Sequence, residues 1–116
     1  MTGYRRRDVV LVGFVFSDET GEKRRPALVV SSDAYQLSRQ EAIIVAITSN
    51  VERRLAGDHL IAEWKAAGLL FPSVATGIIR TIEQSMIAKK LGTIPRFDMR
   101  AVENNLREIL ELKNNS

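Results

Sequence analysis

The sequence predicts a small, mostly antiparallel β domain closed by one C-terminal helix. Three observations carry this. Residues 8–32, DVVLVGFVFSDETGEKRRPALVVSS, read as two apolar strands joined by a polar loop. Further short β-branched runs follow, each bounded by turn formers. Finally, Met99, Val102, Leu106, Ile109 and Leu110 fall at spacings of three, four, three and one, which is one stripe of an amphipathic helix from about Arg96 to about Lys113. Five or six short strands and a closing helix describe a small barrel.

In the first strand, Val9, Leu11 and Val15 face one side and Val10, Val12, Phe14 and Phe16 the other, so both faces are buried or nearly so. The loop at residues 17–22 consists of turn formers and supplies Gly21 where a positive φ is needed. Lys23, Arg24 and Arg25 come next. Pro26 has no N–H for a ladder, which places it at the first residue of the second strand or on an edge. Arg25 is then pinned where loop becomes sheet.

Residues 32–40 are polar and read as a surface loop or one helical turn, and residues 42–48 form a third strand ended by Ser49 and Asn50. A short fourth strand is expected at residues 58–62, followed by a short helix over 63–68 with Gly68 as its C-terminal cap. The fifth strand spans residues 74–82. Residues 85–94 fit either a sixth strand or a helical turn plus strand, bent at Leu91-Gly92.

At 116 residues and 13.0 kDa the chain reads as one domain, 1–116, with enough apolar sequence for its own core. Zero cysteines exclude a disulfide scaffold and any cysteine-based zinc site or nucleophile, and fit a cytoplasmic location. No apolar run approaches the roughly 18 residues of a membrane span, and MTGYRRRD lacks the apolar core of a signal peptide. The net charge is +3 without a basic tail, so any anion site is local. Two clusters qualify, Arg5–Arg7 and Lys23–Arg25, and an N-terminal arginine run also reads as a solvated tail.

The hairpin carries a resemblance. Asp8-Val-Val-Leu-Val12, then Phe14-Val-Phe-Ser-Asp18, then Gly21-Glu-Lys-Arg-Arg-Pro-Ala-Leu-Val-Val-Ser31 resembles the N-terminal signature of MazF/PemK-like toxins, the endoribonuclease halves of type II toxin–antitoxin pairs. Later landmarks extend it over nearly the whole chain: Ile47-Thr48-Ser49, Leu69-Leu70, Pro72-Ser73-Val74, Arg80-Thr81-Ile82 and Leu91-Gly92. The resemblance implies an SH3-like barrel of the MazF, PemK, CcdB and Kid type, with a C-terminal helix, assembled as a homodimer. It also implies a cytoplasmic toxin that cuts single-stranded mRNA without a metal or cofactor and is silenced by a cognate antitoxin. Two departures concern the groove: Arg7 stands where the family usually has Gly, and Thr76-Gly77-Ile78-Ile79 where it often has an acid or amide.

RNA cleavage by the neighbouring 2′-hydroxyl needs a proton acceptor, a cation for the charge building on phosphorus, and a donor to the leaving 5′-oxygen. The usual pair of histidines is unavailable, since His59 stands alone and reads as a satisfied surface or turn residue. Arg25 is the first candidate, because a guanidinium stays charged and grips two phosphate oxygens; on its own it also reads as a surface arginine beside a proline. Thr48, at the end of the third strand, has a hydroxyl to donate; alone it also reads as a good strand former. The resemblance makes Arg25 and Thr48 the catalytic couple. Asp18, Glu19 or Glu22 is the candidate base, or a solvated loop charge. Phe16, Ser17, Lys23, Arg24, Ser49, Asn50 and Arg80 are the RNA-binding candidates.

Two other functions suit such a barrel: a CcdB-like topoisomerase poison, and a module that binds nucleic acid without cutting it. The first relies on a C-terminal tryptophan-bearing tail, whereas this chain ends Lys-Asn-Asn-Ser. The second has no need of Arg25 and Thr48 together.

Overall fold

The computed structural model describes residues 3–15 and 22–113. Six strands and two helices follow one another: β1 (Asp8–Val15), β2 (Glu22–Val29), α1 (Asp33–Ser38), β3 (Glu41–Thr48), β4 (His59–Leu60), β5 (Val74–Glu83), β6 (Ile87–Thr93) and α2 (Arg96–Leu110). They make one antiparallel sheet in the order β4-β5-β3-β2-β1-β6. No ladder joins β4 to β6 among the described residues, so the barrel is a curled sheet without a closing seam.

Alternation along the strands builds two cores. Val9, Leu28, Val45, Ile47 and Ala75 point to one side, where they meet Ile61, Leu69, Ile94 and the Met99–Val102 stripe of α2. Val10, Val12, Ala27, Val29 and Ile44 point to the other, covered by Ile82 and Ile87 from the β5–β6 hairpin. Burial of a valine or leucine side chain contributes roughly 1.5–3 kcal/mol, so this two-sided packing is what fixes the register of β1 to β3. Among the described residues no helix is long and apolar enough to cross a membrane.

The elements differ from the sequence expectations in several places. Pro26 lies inside β2, paired with Leu11, not at its first residue. The β2–β3 ladder stops at Ala27, the residue next to the one without an N–H. The fourth strand shrinks to His59 and Leu60, because only these pair with β5. Residues 62–68 form hydrogen-bonded turns, not a helix, with Ala67 N–H on Glu63 O and Leu69 N–H on Trp64 O.

Gly68 does take the expected left-handed conformation, φ +83°. A Cβ there would lie 2.1 Å from the carbonyl oxygen of Leu91, and one on Gly92 would lie 2.5 Å from Ala67. The two glycines let the turn press on a β-bulge of β6, where the pairing skips Leu91. Residues 84–94 resolve into a 3-10 turn, Gln84–Met86, followed by β6. Helix α2 ends at Leu110, and its stripe thins there: Met99 and Val102 are buried, while Leu110 is exposed.

Candidate nucleic-acid interface

The antiparallel register of β2 and β3 pairs Val29 with Ile44, Leu28 with Val45 and Ala27 with Ala46. The ladder ends at Ala27–Ala46, and Arg25 and Thr48 each lie two residues beyond that last pair, on the same side of their strands as its members. Residues opposed across an antiparallel pair project from the same face. That face is fixed independently, since Arg25 is also paired with Val12, a residue of the second core, on β1. The guanidinium therefore starts from a backbone held on one side by a ladder and on the inner side by a packed core. Arg25 is exposed. Among the described residues it has no carboxylate partner.

The hydroxyl of Thr48 is oriented by its own turn. The backbone N–H of Asn50 donates to Thr48 Oγ1 at 3.1 Å, and Asn50 Oδ1 accepts from the Glu52 N–H at 3.3 Å. With a lone pair of Oγ1 engaged by the main chain, the hydroxyl proton is left to point outward to an acceptor. Ser49 and Asn50 are both exposed beside it.

Next to Thr48 lies a groove of about 340 Å³ lined by Asn50, Arg53, Asp58, Thr76 and Ile78 among others. Its wall is built by polar ties. Thr76 Oγ1 donates to the carbonyl of Ala46 at 2.7 Å and accepts from the Ile78 N–H at 3.1 Å. Asp58 accepts from the N–H groups of Leu55 and Gly77 at 2.9 and 3.2 Å. Arg53 is the residue that reading the sequence passed over. It sits outside any strand pattern, so its approach to the groove depends on how residues 49–58 fold back onto β5.

The other site candidates divide. Lys23 and Arg25 are on one face of β2 by alternation, and Arg24 is on the opposite face, so the three cations do not act as one lip. Arg80 pairs with Ile44, four residues back along β3 from Thr48, or roughly 13 Å at strand spacing. Within one chain it is apart from the Arg25–Thr48 end. Phe16, Ser17, Asp18, Glu19 and the side chain of Glu22 lie outside the described residues. His59 has a structural partner, with Nε2 2.7 Å from Asp98 Oδ1.

The comparisons with known proteins agree with this architecture. Residues 5–110 match the family model described as PemK-like, MazF-like toxin of type II toxin-antitoxin system. Endoribonuclease MazF6 of Mycobacterium tuberculosis is 33% identical over 93 residues, spanning 78% of this chain and 81% of that one. Endoribonuclease MazF2 of Mycobacterium bovis matches to the same extent. Among solved structures, a MazE–MazF complex of Deinococcus radiodurans superposes with a TM-score of 0.82 at 17% identity, covering 97% of this chain and 100% of that one. A mycobacterial endoribonuclease in complex with its cognate antitoxin superposes with a TM-score of 0.76 at 19% identity, covering 97% and 99%.

Proposed function

The chain belongs to the PemK-like, MazF-like toxins of type II toxin–antitoxin systems, and we propose that it is an endoribonuclease cutting single-stranded mRNA in the cytoplasm, with Arg25 and Thr48 acting on one phosphate. The observation that supports the catalytic reading is the β2–β3 ladder, whose last pair, Ala27–Ala46, lies two residues from both Arg25 and Thr48.

In the proposed step the 2′-oxygen attacks the adjacent phosphorus as its proton passes to a base. The P–O5′ bond then breaks, and the 5′-oxygen leaves with a proton supplied by the enzyme. The products are a 2′,3′-cyclic phosphate and a 5′-hydroxyl, and the chemistry requires no metal. The Arg25 guanidinium binds two phosphoryl oxygens as negative charge builds on them, and the Thr48 hydroxyl donates to one of the same oxygens. Ser49, Asn50 and Lys23 flank the phosphate, and the groove beside Thr48 receives a neighbouring nucleotide.

A cognate antitoxin silences the enzyme; a structural neighbour is an endoribonuclease in complex with its cognate antitoxin, and another is a MazE–MazF complex. The active form is a homodimer. An apolar groove of about 350 Å³ between α2 and the sheet, lined by Val30, Ile43, Ile79, Leu106, Leu110 and Leu112, supports this. Ile79, Leu110 and Leu112 are exposed large apolar residues there, and a second copy of the chain covers them.

Incubation of the purified protein with a long unstructured RNA in EDTA tests the activity. Discrete fragments ending in a cyclic phosphate are expected. Intact RNA, or cleavage that starts only on adding a divalent cation, would refute the metal-free mechanism.

A further inference from the structure

A second concavity, of about 440 Å³, is separate from the groove beside Thr48. It lies at the other end of the sheet, between the segment leading into β1, the end of β6 and the first turns of α2. Six cations line it: Arg5, Arg6, Arg7, Lys90, Arg96 and Arg100. They come from the two ends of the chain, residues 5–7 and residues 90–100.

Three carboxylates share the cleft, and each is already engaged. Asp8 is buried and takes the Arg5 N–H at 2.8 Å, the Thr93 hydroxyl at 3.2 Å and the Lys90 ammonium at 3.3 Å. Asp33 accepts the Arg6 N–H at 3.2 Å, and Glu103 pairs with the Arg6 guanidinium. Arg5, Arg7, Arg96 and Arg100 have no carboxylate within ion-pair distance among the described residues. Six cations against three carboxylates leave the cleft with a positive excess.

Two further features sit at the same place. Arg7 has φ +83°, a region costly for a residue with a Cβ, and is held there by its N–H on Val29 O at 2.9 Å and its carbonyl accepting from Ile94 at 3.1 Å. The N-terminus of the 15-residue α2 begins at Arg96 after Pro95, which provides no side-chain cap, so its positive end adds to the field.

The ligand chemistry follows from the lining. Guanidinium forks match phosphate oxygens. Met99 is the one apolar lining residue, so a peptide would find no pocket for apolar side chains, whereas a sugar–phosphate strand needs none. Asp8 is four residues, roughly 13 Å, along β1 from Val12, the partner of Arg25, while the α2 cations come from the first-core side of the sheet and Arg25 from the second-core side.

We propose that this cleft is a second phosphate-binding site, holding the backbone of the RNA substrate a few nucleotides away from the bond that is cut. The proposal rests on the endoribonuclease reading above. It is tested by fluorescence anisotropy with an RNA that wild type cuts, made uncleavable by 2′-O-methylation, titrated over a range of salt. The double variant Arg96→Gln/Arg100→Gln is compared with a charge-matched control, Arg39→Gln/Lys113→Gln, both checked for a wild-type melting curve. Should the double variant fold poorly, Arg100→Gln alone replaces it.

Loss of two phosphate contacts makes the slope of log Kd against log salt shallower by about 1.4, at about 0.7 per contact, and the control keeps the wild-type slope. Wild type that cuts RNA while the cleft variant retains its full slope, or a control that flattens equally, overturns the cleft alone. Wild type that neither cuts nor binds RNA overturns both readings. An unchanged RNA slope with lost binding of oligoglutamate assigns the cleft to an acidic peptide and overturns the proposal.

Discussion

Asp98, at the start of α2, receives His59 Nε2 on one carboxylate oxygen at 2.7 Å and is fully buried. The same carboxylate accepts the N–H of Ala62 at 2.9 Å and of Glu63 at 3.1 Å. One side chain thus ties the helix to β4 and to the turns that follow it. Asp98→Ala removes three part-buried hydrogen bonds at once, each worth about 1 kcal/mol, so a loss of about 3 kcal/mol is expected in urea unfolding. Asp98→Asn, which keeps one acceptor, loses less. Equal stability of wild type and Asp98→Ala would show that the tie is incidental.

The contact between Gly68 and the β6 bulge gives a second expectation. Gly68→Ala meets both a left-handed backbone and a carbonyl oxygen at 2.1 Å, so it destabilises by about 3 kcal/mol and lowers the melting temperature by more than 10 °C. Gly92→Ala acts on the same contact from the other side. The double variant therefore loses less than the two single losses combined, read from melting curves of all three.

Leu110 is 51% exposed at the end of α2, in the apolar groove assigned to a second copy. Leu110→Glu leaves the fold of one chain unchanged and shifts sedimentation from dimer to monomer. A variant that sediments as wild type would place the dimer contact elsewhere.

Much of the fold was legible in the chain because it depends on local alternation. Val9, Val10 and Val12 declare their two faces, and Met99 and Val102 declare the buried stripe of α2. What was not legible depends on partners distant in sequence. Residues 63–68 carry helix formers such as Glu63, Lys65 and Ala66, yet the chain needs Gly68 against Leu91 and so curls into turns. Leu110 fits the helical period, yet it lines an open apolar groove and stays exposed.

The candidate site divides in the same way. Arg25 and Thr48 are each visible in a local motif, and that both lie two residues beyond the same ladder pair is a matter of β2–β3 register. Arg5–Arg7 is equally visible as a run of charge. Its meeting with Arg96 and Arg100 is a property of the folded chain, because α2 starts where β1 starts.

The central claim is that Arg25 and Thr48 act on one phosphate, and a double-mutant cycle on single-turnover RNA cleavage tests it most directly. Arg25→Ala and Thr48→Val are each expected to slow cleavage by about 10²–10³-fold, the typical loss of one preorganised donor. Thr48→Val keeps the side-chain shape, so its melting curve separates chemistry from folding. If the two serve one phosphate, the double variant is slowed hardly more than the worse single variant. Losses that multiply in full, or an Arg25→Ala enzyme that cuts at the wild-type rate, would contradict the account.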